Sequence, residues 1–269
     1  MERKVVLITG GSSGIGKSIG IYLKSKGFKV YGTTRKLDNY PGFNHFDLLE
    51  LDVRDPKGIE QAVSKLISKE GRVDVLVNNA GIGITGPIEE TPHDEILKAF
   101  DTNFNGPLHM CKAVLPHMRN QNQGLIINIT SIAGYMGLPY RGIYSASKGA
   151  LGLATEALRM ETKSFGIHFT TLAPGDFATN IASGRYHAPI LEGSPYALPY
   201  DKTLAIMNEH VDAGKDPMLV AYMVLRIINT KKPKVHYKVG DFMQKFSLFL
   251  KKILPDKVYE KLLMNHYKL

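Results

Sequence analysis

Tyr144 and Lys148 stand four residues apart in Ile143-Tyr144-Ser145-Ala146-Ser147-Lys148, a stretch that reads as the start of a helix running to about Phe165. Positions four apart share a helix face, so a phenol and an ammonium are directed to one spot. A tyrosine ordinarily loses its proton near pH ~10, and a cation held beside it favours the phenolate and brings that loss toward neutral pH. Such a tyrosine can pass a proton to or from an alcohol or carbonyl oxygen. The same spacing occurs in Tyr22 and Lys26, where a solvated helix face is the plainer reading. What distinguishes Tyr144 is Ser131, thirteen residues upstream, where the apolar run Leu125-Ile126-Ile127-Asn128-Ile129-Thr130 ends in a Ser-x-x-Gly turn closing at Gly134. A hydroxyl at the carboxyl end of a buried strand and a Tyr/Lys face on the next helix meet at the ligand edge of a parallel sheet.

The elements that must position these groups begin at the other end of the chain. Lys4 to Thr9 is an apolar run of strand length that opens into Gly10-Gly11-Ser12-Ser13-Gly14-Ile15-Gly16 and then a helical pattern to about Lys26. Strand, glycine-rich turn and helix form the start of a dinucleotide-binding unit, in which backbone approaches a pyrophosphate at a helix N-terminus. A second strand, Phe28 to Thr33, is followed by Thr34-Arg35-Lys36. A carboxylate there would bond the free 2′-hydroxyl of NAD; a guanidinium suits a 2′-phosphate, so Arg35 favours NADP(H) over NAD(H).

Phe46 to Val53 reads as a third strand ending in Asp52-Val53, and Asp55-Pro56 starts a capped helix to about Glu70. Asp52 either accepts from an adenine amino group or caps its own turn. A fourth strand, Val73 to Val77, ends in Asn78-Asn79-Ala80-Gly81, where Asn79 either shapes the cofactor floor or serves the turn alone. From Thr91 a helix runs past Asn103 toward Met118. An amide amid apolar helix positions costs ~1–3 kcal/mol if left unbonded, so Asn103 is expected to have a task or a kink to stabilise. A sixth strand, Ile167 to Leu172, leads into Ala173-Pro174-Gly175, with Thr179 placed to offer a hydroxyl to the cofactor. Residues 180–217 lack periodicity and read as a substrate lid. Asp216 to Asn229 is helical again, and Lys234 to Val239 is a last strand.

Composition bounds the remaining possibilities. A chain of 269 residues accommodates one α/β domain, taken here as residues 1–240, with 241–269 as a helical extension. No apolar run approaches the ~18 residues needed to span a bilayer and no signal-peptide core precedes the first strand, which predicts a soluble, cytoplasmic protein. The single Cys111 reads as a helix core position, and no His or Cys cluster has metal-ligand spacing. Of the net +9, residues 231–269 carry +7, from ten lysines against Asp241, Asp256 and Glu260. The body is nearly neutral, which argues against nucleic acid as a partner. In the extension Phe242, Phe246, Phe249, Leu250 and Ile253 recur at helical spacing among lysines. This pattern suits either weak contact with a membrane surface or a helix folded over the substrate mouth or a neighbouring subunit.

Taken together, Thr9-Gly10-x-x-x-Gly14-x-Gly16, Asn78-Asn79-Ala80-Gly81, Asn103 in Asn-x-x-Gly, Ser131, Tyr144-x-x-x-Lys148 and Pro174-Gly175 with Thr179 resemble the short-chain dehydrogenases/reductases, in that family's order. The resemblance implies a Rossmann-type, doubly wound parallel sheet of seven strands in the order 3-2-1-4-5-6-7, with helices on both faces. It implies Tyr144 as general acid/base, Lys148 as the group that lowers its pKa and bonds the nicotinamide ribose, Ser131 as holder of the substrate oxygen, and Asn103 as a link to a proton-delivering water chain. Cofactor contacts are then expected from Thr9, Gly10, Ser12, Ser13, Gly14, Ile15, Gly16, Arg35, Asp52, Val53, Asn79, Tyr144, Lys148, Pro174, Gly175 and Thr179. Many NADP-dependent members carry a basic residue where this chain has Ser13, so the NADP(H) expectation rests on Arg35. The extension resembles that of hydroxysteroid and retinol dehydrogenase-like members, which implies a lipophilic alcohol or ketone as substrate. Homodimers or homotetramers are common among such relatives. Against the enzyme reading stands a non-catalytic NADP-binding sensor on the same fold, for which an eroded site would be expected.

Overall fold

In the computed structural model, residues 3–177, 184–212 and 214–269 are described. The chain runs β1 (Val5–Ile8), α1 (Gly14–Ser25), β2 (Lys29–Thr34), β3 (Asp47–Glu50), α2 (Pro56–Glu70), β4 (Val75–Asn78), β5 (Ile84–Thr85), α3 (His93–Phe100), α4 (Gly106–Asn120), β6 (Gly124–Ile129), α5 (Gly142–Glu161) and β7 (Ile167–Pro174). It continues with β8 (Tyr186–His187), α6 (Ala197–Asp212), α7 (Met218–Ile228), β9 (His236–Val239), α8 (Phe242–Ile253) and α9 (Asp256–Tyr267). Seven strands form one parallel sheet, β3-β2-β1-β4-β6-β7-β9, and β5 pairs with β8 apart from it. With that small pair set aside, this is the expected order 3-2-1-4-5-6-7.

The period-two alternation along each strand divides the core in two. Val6 and Ile8 of β1, Val75 and Val77 of β4, and Ile127 and Ile129 of β6 face Ile19 and Leu23 of α1 and Val220, Val224 and Ile227 of α7. Val5, Leu7, Leu76 and Ile126 point the other way, onto Ile59, Val63 and Leu66 of α2 and Met110, Cys111, Val114 and Met118 of α4. Cys111 is thus a core residue, and burial pushes its thiol up to about 12. Asp55 caps α2 by accepting from Lys57 N at 3.1 Å, and Gly71 ends it with a left-handed φ of 71°.

Two regions differ from the sequence expectation. Within 180–217, α6 is a sixteen-residue helix rather than loop. It is anchored by Tyr200, whose hydroxyl lies 3.0 Å from Thr85 Oγ1, and by buried Thr203. Between α3 and α4 the helix widens into a π turn over Asp101–Asn105. Asn103 lies in this turn, which is the kink that its buried amide signals.

The extension folds back on the domain. Leu248 of α8 packs with Tyr259 of α9 against Ile132 and Met136. Thr203 of α6 donates to the carbonyl of Tyr267 at 3.4 Å. Of the two tail readings, packing over the domain is what the inner face of α8 does. Among the described residues no helix is long and apolar enough to cross a membrane.

Candidate active site

One cleft runs along the carboxyl edge of the sheet from the glycine loop to Tyr144. At its first end the loops after β1 and β4 are stitched into a single floor. Thr9 Oγ1 accepts from Asn79 N at 2.9 Å and Ala80 N at 3.0 Å, while Asn79 Nδ2 donates to the carbonyls of Thr9 at 2.9 Å and Gly10 at 3.2 Å. A Cβ on Gly16 would lie 2.3 Å from Gly10 O and 2.5 Å from Asn79 Nδ2, so only glycine leaves this floor intact. Gly10 and Gly14 adopt left-handed φ values of 62° and 51°. Ser13 precedes α1 without capping it through its side chain, and no acid lies in the first turn. The N–H groups and positive dipole end of α1 therefore serve the cleft, where Ser12, Ser13, Gly14 and Ile15 form the wall. This cradle fits a pyrophosphate.

Further along, Thr34 at the end of β2 and the exposed Arg35 and Lys36 after it lie on the same wall. Asp52 and Val53 face them. The Asp52 carboxylate accepts from Arg54 Nη2 at 2.6 Å and from Arg54 N at 3.0 Å, and the guanidinium holds it below the usual carboxylate range. Turn capping, one of its two expected tasks, is thus present in the structure.

The reacting end is assembled by β6 and α5. Ser131 ends β6 and caps the following 3-10 turn by accepting from Ala133 N at 3.2 Å. This turn lies tight on α5: a Cβ on Gly134 would come 3.0 Å from the Lys148 backbone, which is the reason for glycine in Ser-x-x-Gly. The contact brings the Ser131 hydroxyl close enough to Tyr144 to favour its phenolate. Both Tyr144 and Lys148 are buried, as their common helix face requires.

Their electrostatics differ from the expectation. Burial raises the Tyr144 pKa above its ordinary value; Arg141, the nearby Ser131 hydroxyl and Arg185 counter it, and Asp176 adds to it. Lys148 is not among the opposing cations. Its ammonium instead donates to the Ile129 carbonyl at 3.0 Å, and burial brings it down to about 8. The cation nearest in type to the expected role is Arg141, whose guanidinium stands 5.3 Å from the Tyr144 ring centre.

Asn103 is fully buried and fully bonded. Its Oδ1 accepts from Ile82 N at 2.9 Å; its Nδ2 donates to Ile82 O at 3.0 Å and to Ser147 Oγ at 3.1 Å. Ser147 passes its own hydrogen bond to Tyr144 O at 2.9 Å. Asn103 thus ties the loop after β4 to α5, and its Oδ1 and Lys148 Nζ both converge on Gly81.

Pro174 and Gly175 line the cleft at the end of β7, while Thr179 lies outside the described residues. Two participants escape sequence reasoning. Gln244 of α8 sits on Gly175 and donates to Asp176 Oδ2 at 2.6 Å, so the extension clamps the loop that carries Pro174. Arg185 is buried in the cleft wall beside Arg141 and Asp176. The signal for Arg185 was a cation in an aperiodic stretch, and for Gln244 a single amide on a mainly apolar and basic helix. Among the described residues no group of three or more His, Cys, Asp or Glu could hold a metal ion.

Residues 4–189 match the family model described as short chain dehydrogenase. The chain belongs to the short-chain dehydrogenase family. It is 39% identical over 268 residues to a 3-ketodihydrosphingosine reductase of Bacteroides thetaiotaomicron, covering 99% of each chain. Among solved structures, a short-chain dehydrogenase from Streptomyces avermitilis is similar with a TM-score of 0.83 and 31% identity, over 97% of this chain and 95% of that one. The structure of ElxO with NADP bound is similar with a TM-score of 0.72 and 28% identity, over 88% of this chain and 97% of that one. The glycine cradle, Ser131, Tyr144 and Lys148 of this short-chain dehydrogenase are therefore present and drawn to one cleft, as an oxidoreductase of the family requires.

Proposed function

We propose that this protein is a cytoplasmic NADP(H)-dependent oxidoreductase that interconverts a secondary alcohol and a ketone on a lipophilic substrate. The observation that carries the reading is the buried Tyr144, beside Ser131 and one helical turn from buried Lys148, at one end of a cleft whose other end is a glycine cradle. Gly10, Gly14 and Gly16 with the α1 N-terminus would hold a pyrophosphate, and Arg35 a 2′-phosphate. A bound nicotinamide dinucleotide supplies or takes up the hydride. The chain's part is alignment and proton transfer. Ser131 orients the substrate oxygen, and Tyr144 gives its proton to that oxygen during reduction and takes it back during oxidation. Lys148, near 8, can exchange a proton close to neutral pH, and Asn103 holds its surroundings in place.

The cleft around Tyr144 is lined by apolar Ile82, Ile129 and Phe177 and by charged Arg141, Asp176 and Arg185. Such a site fits an amphiphilic ketone with a polar group near the reacting carbon. A 3-keto sphingoid base has this form, and the name of the Bacteroides relative supports it. Exposed Leu153 and Met160 on α5 offer an apolar face for a homodimer or homotetramer. The test is oxidation of NADPH and NADH by the purified protein with 3-ketodihydrosphingosine and a panel of hydrophobic ketones. Turnover with NADPH supports the reading; cofactor binding without turnover of any ketone would refute it in favour of a sensor.

A further inference from the structure

We propose that α8 docks this protein on an anionic phospholipid surface. Phe242, Phe246, Phe249 and Ile253 recur at helical spacing along one stripe and are 69%, 37%, 54% and 57% exposed. The rings of Phe242 and Phe246 stack at 5.8 Å and those of Phe246 and Phe249 at 6.1 Å, so the stripe is continuous. The helix is held by its opposite side, where Leu248 is buried beside Ile132, Met136 and Tyr259, and Gln244 bonds Asp176. Its aromatic stripe is thus a surface of the folded protein. Lys245 and Lys252 flank the stripe on one side, and Lys245, Lys251, Lys252 and Lys257 are all exposed. An aromatic face bordered by lysines is what an interfacial helix needs, with rings entering the headgroup region and ammonium groups on the phosphates.

Charge decides the occupant. The last thirty-nine residues carry +7, so a second copy on this face would set like charges together, whereas an anionic leaflet complements them. The fold adds a consequence, because Gln244 fixes α8 to Gly175 and Asp176 at the wall of the cleft. A docked α8 holds the cleft beside the bilayer, where a lipophilic substrate resides.

The test is co-sedimentation of the full chain with phosphatidylcholine vesicles, with and without phosphatidylglycerol. Because it reads binding and not turnover, its failure is distinct from failure of the reaction proposed above. Binding is expected on the anionic vesicles, weakening as salt rises. The triple variant Phe242→Ser, Phe246→Ser, Phe249→Ser should bind at least about tenfold more weakly. At roughly fivefold per lysine, Lys245→Gln with Lys252→Gln should weaken binding about 25-fold, and this pair decides the matter if the triple variant does not fold. No binding by the parent chain, equal binding to neutral and anionic vesicles, or binding unmoved by the lysine pair would overturn the proposal. So would sedimentation velocity in which the triple variant splits a larger assembly, which would assign the stripe to a second copy.

Discussion

Asn103→Leu separates a structural brace from an incidental amide. The substitution nearly keeps the side-chain volume and removes every polar atom. Ile82 N then loses its acceptor at 2.9 Å and Ile82 O its donor at 3.0 Å, while Ser147 Oγ keeps its bond to Tyr144 O. An orphaned buried group costs ~1–3 kcal/mol, and because Ile82 is only partly buried the lower half of that range applies, about 2–4 kcal/mol for the two. The added apolar burial of leucine returns about 1 kcal/mol, which leaves a net loss of roughly 1–3 kcal/mol. For a chain of this length each kcal/mol lowers the midpoint by about 2–4 °C, so a fall of about 2–12 °C is expected. Differential scanning calorimetry reads this directly. Turnover should fall with it, since Ile82 lines the same cleft as Lys148. A midpoint within about 1 °C of the parent would show that the π turn does not depend on Asn103 and would refute the bracing argument.

Two further outcomes follow from the electrostatics. Lys148 titrates near 8 in the fold against an ordinary 10.5, so below pH ~8 it is charged both folded and unfolded and its burial cost is fully present. Between those values only the unfolded chain keeps the proton, and stability rises with pH. Lys148→Met has no such proton and should lose this rise, worth up to roughly 3 kcal/mol between pH 7 and 10, in guanidinium titrations; equal slopes for the two proteins would contradict the burial effect. Arg35→Asp should shift the NADPH to NADH ratio of kcat/KM by at least about tenfold toward NADH, since a charge-assisted bond contributes ~1.5–3 kcal/mol; an unmoved ratio would show that another residue selects the cofactor.

The fold and the centre of the site were legible because local signals there agree with one another. Val5-Val6-Leu7-Ile8 leads into glycines whose positions tolerate no side chain, and Asn103 is a polar residue in an apolar helix that turned out to sit in a π turn. What escaped depends on partners distant in sequence. Helix α6 buries Tyr200, Thr203 and Met207, but the first two bond Thr85 and the carbonyl of Tyr267 and Leu198 is exposed, so the apolar period is blurred. The pairing of Tyr144 with Lys148 was read correctly as one face, yet that face is buried, and desolvation governs both groups more than their mutual charge. Gln244 joins the cleft only because α8 folds back over Gly175.

The most direct measurement is single-turnover oxidation of NADPH with a hydrophobic ketone by Tyr144→Phe beside the parent chain, with NADPH affinity taken from fluorescence titration. A phenol that transfers the proton predicts unchanged NADPH binding and a rate lower by about 10²–10⁴. Near-parental turnover in the variant would remove Tyr144 from the chemistry and with it the proposed reaction.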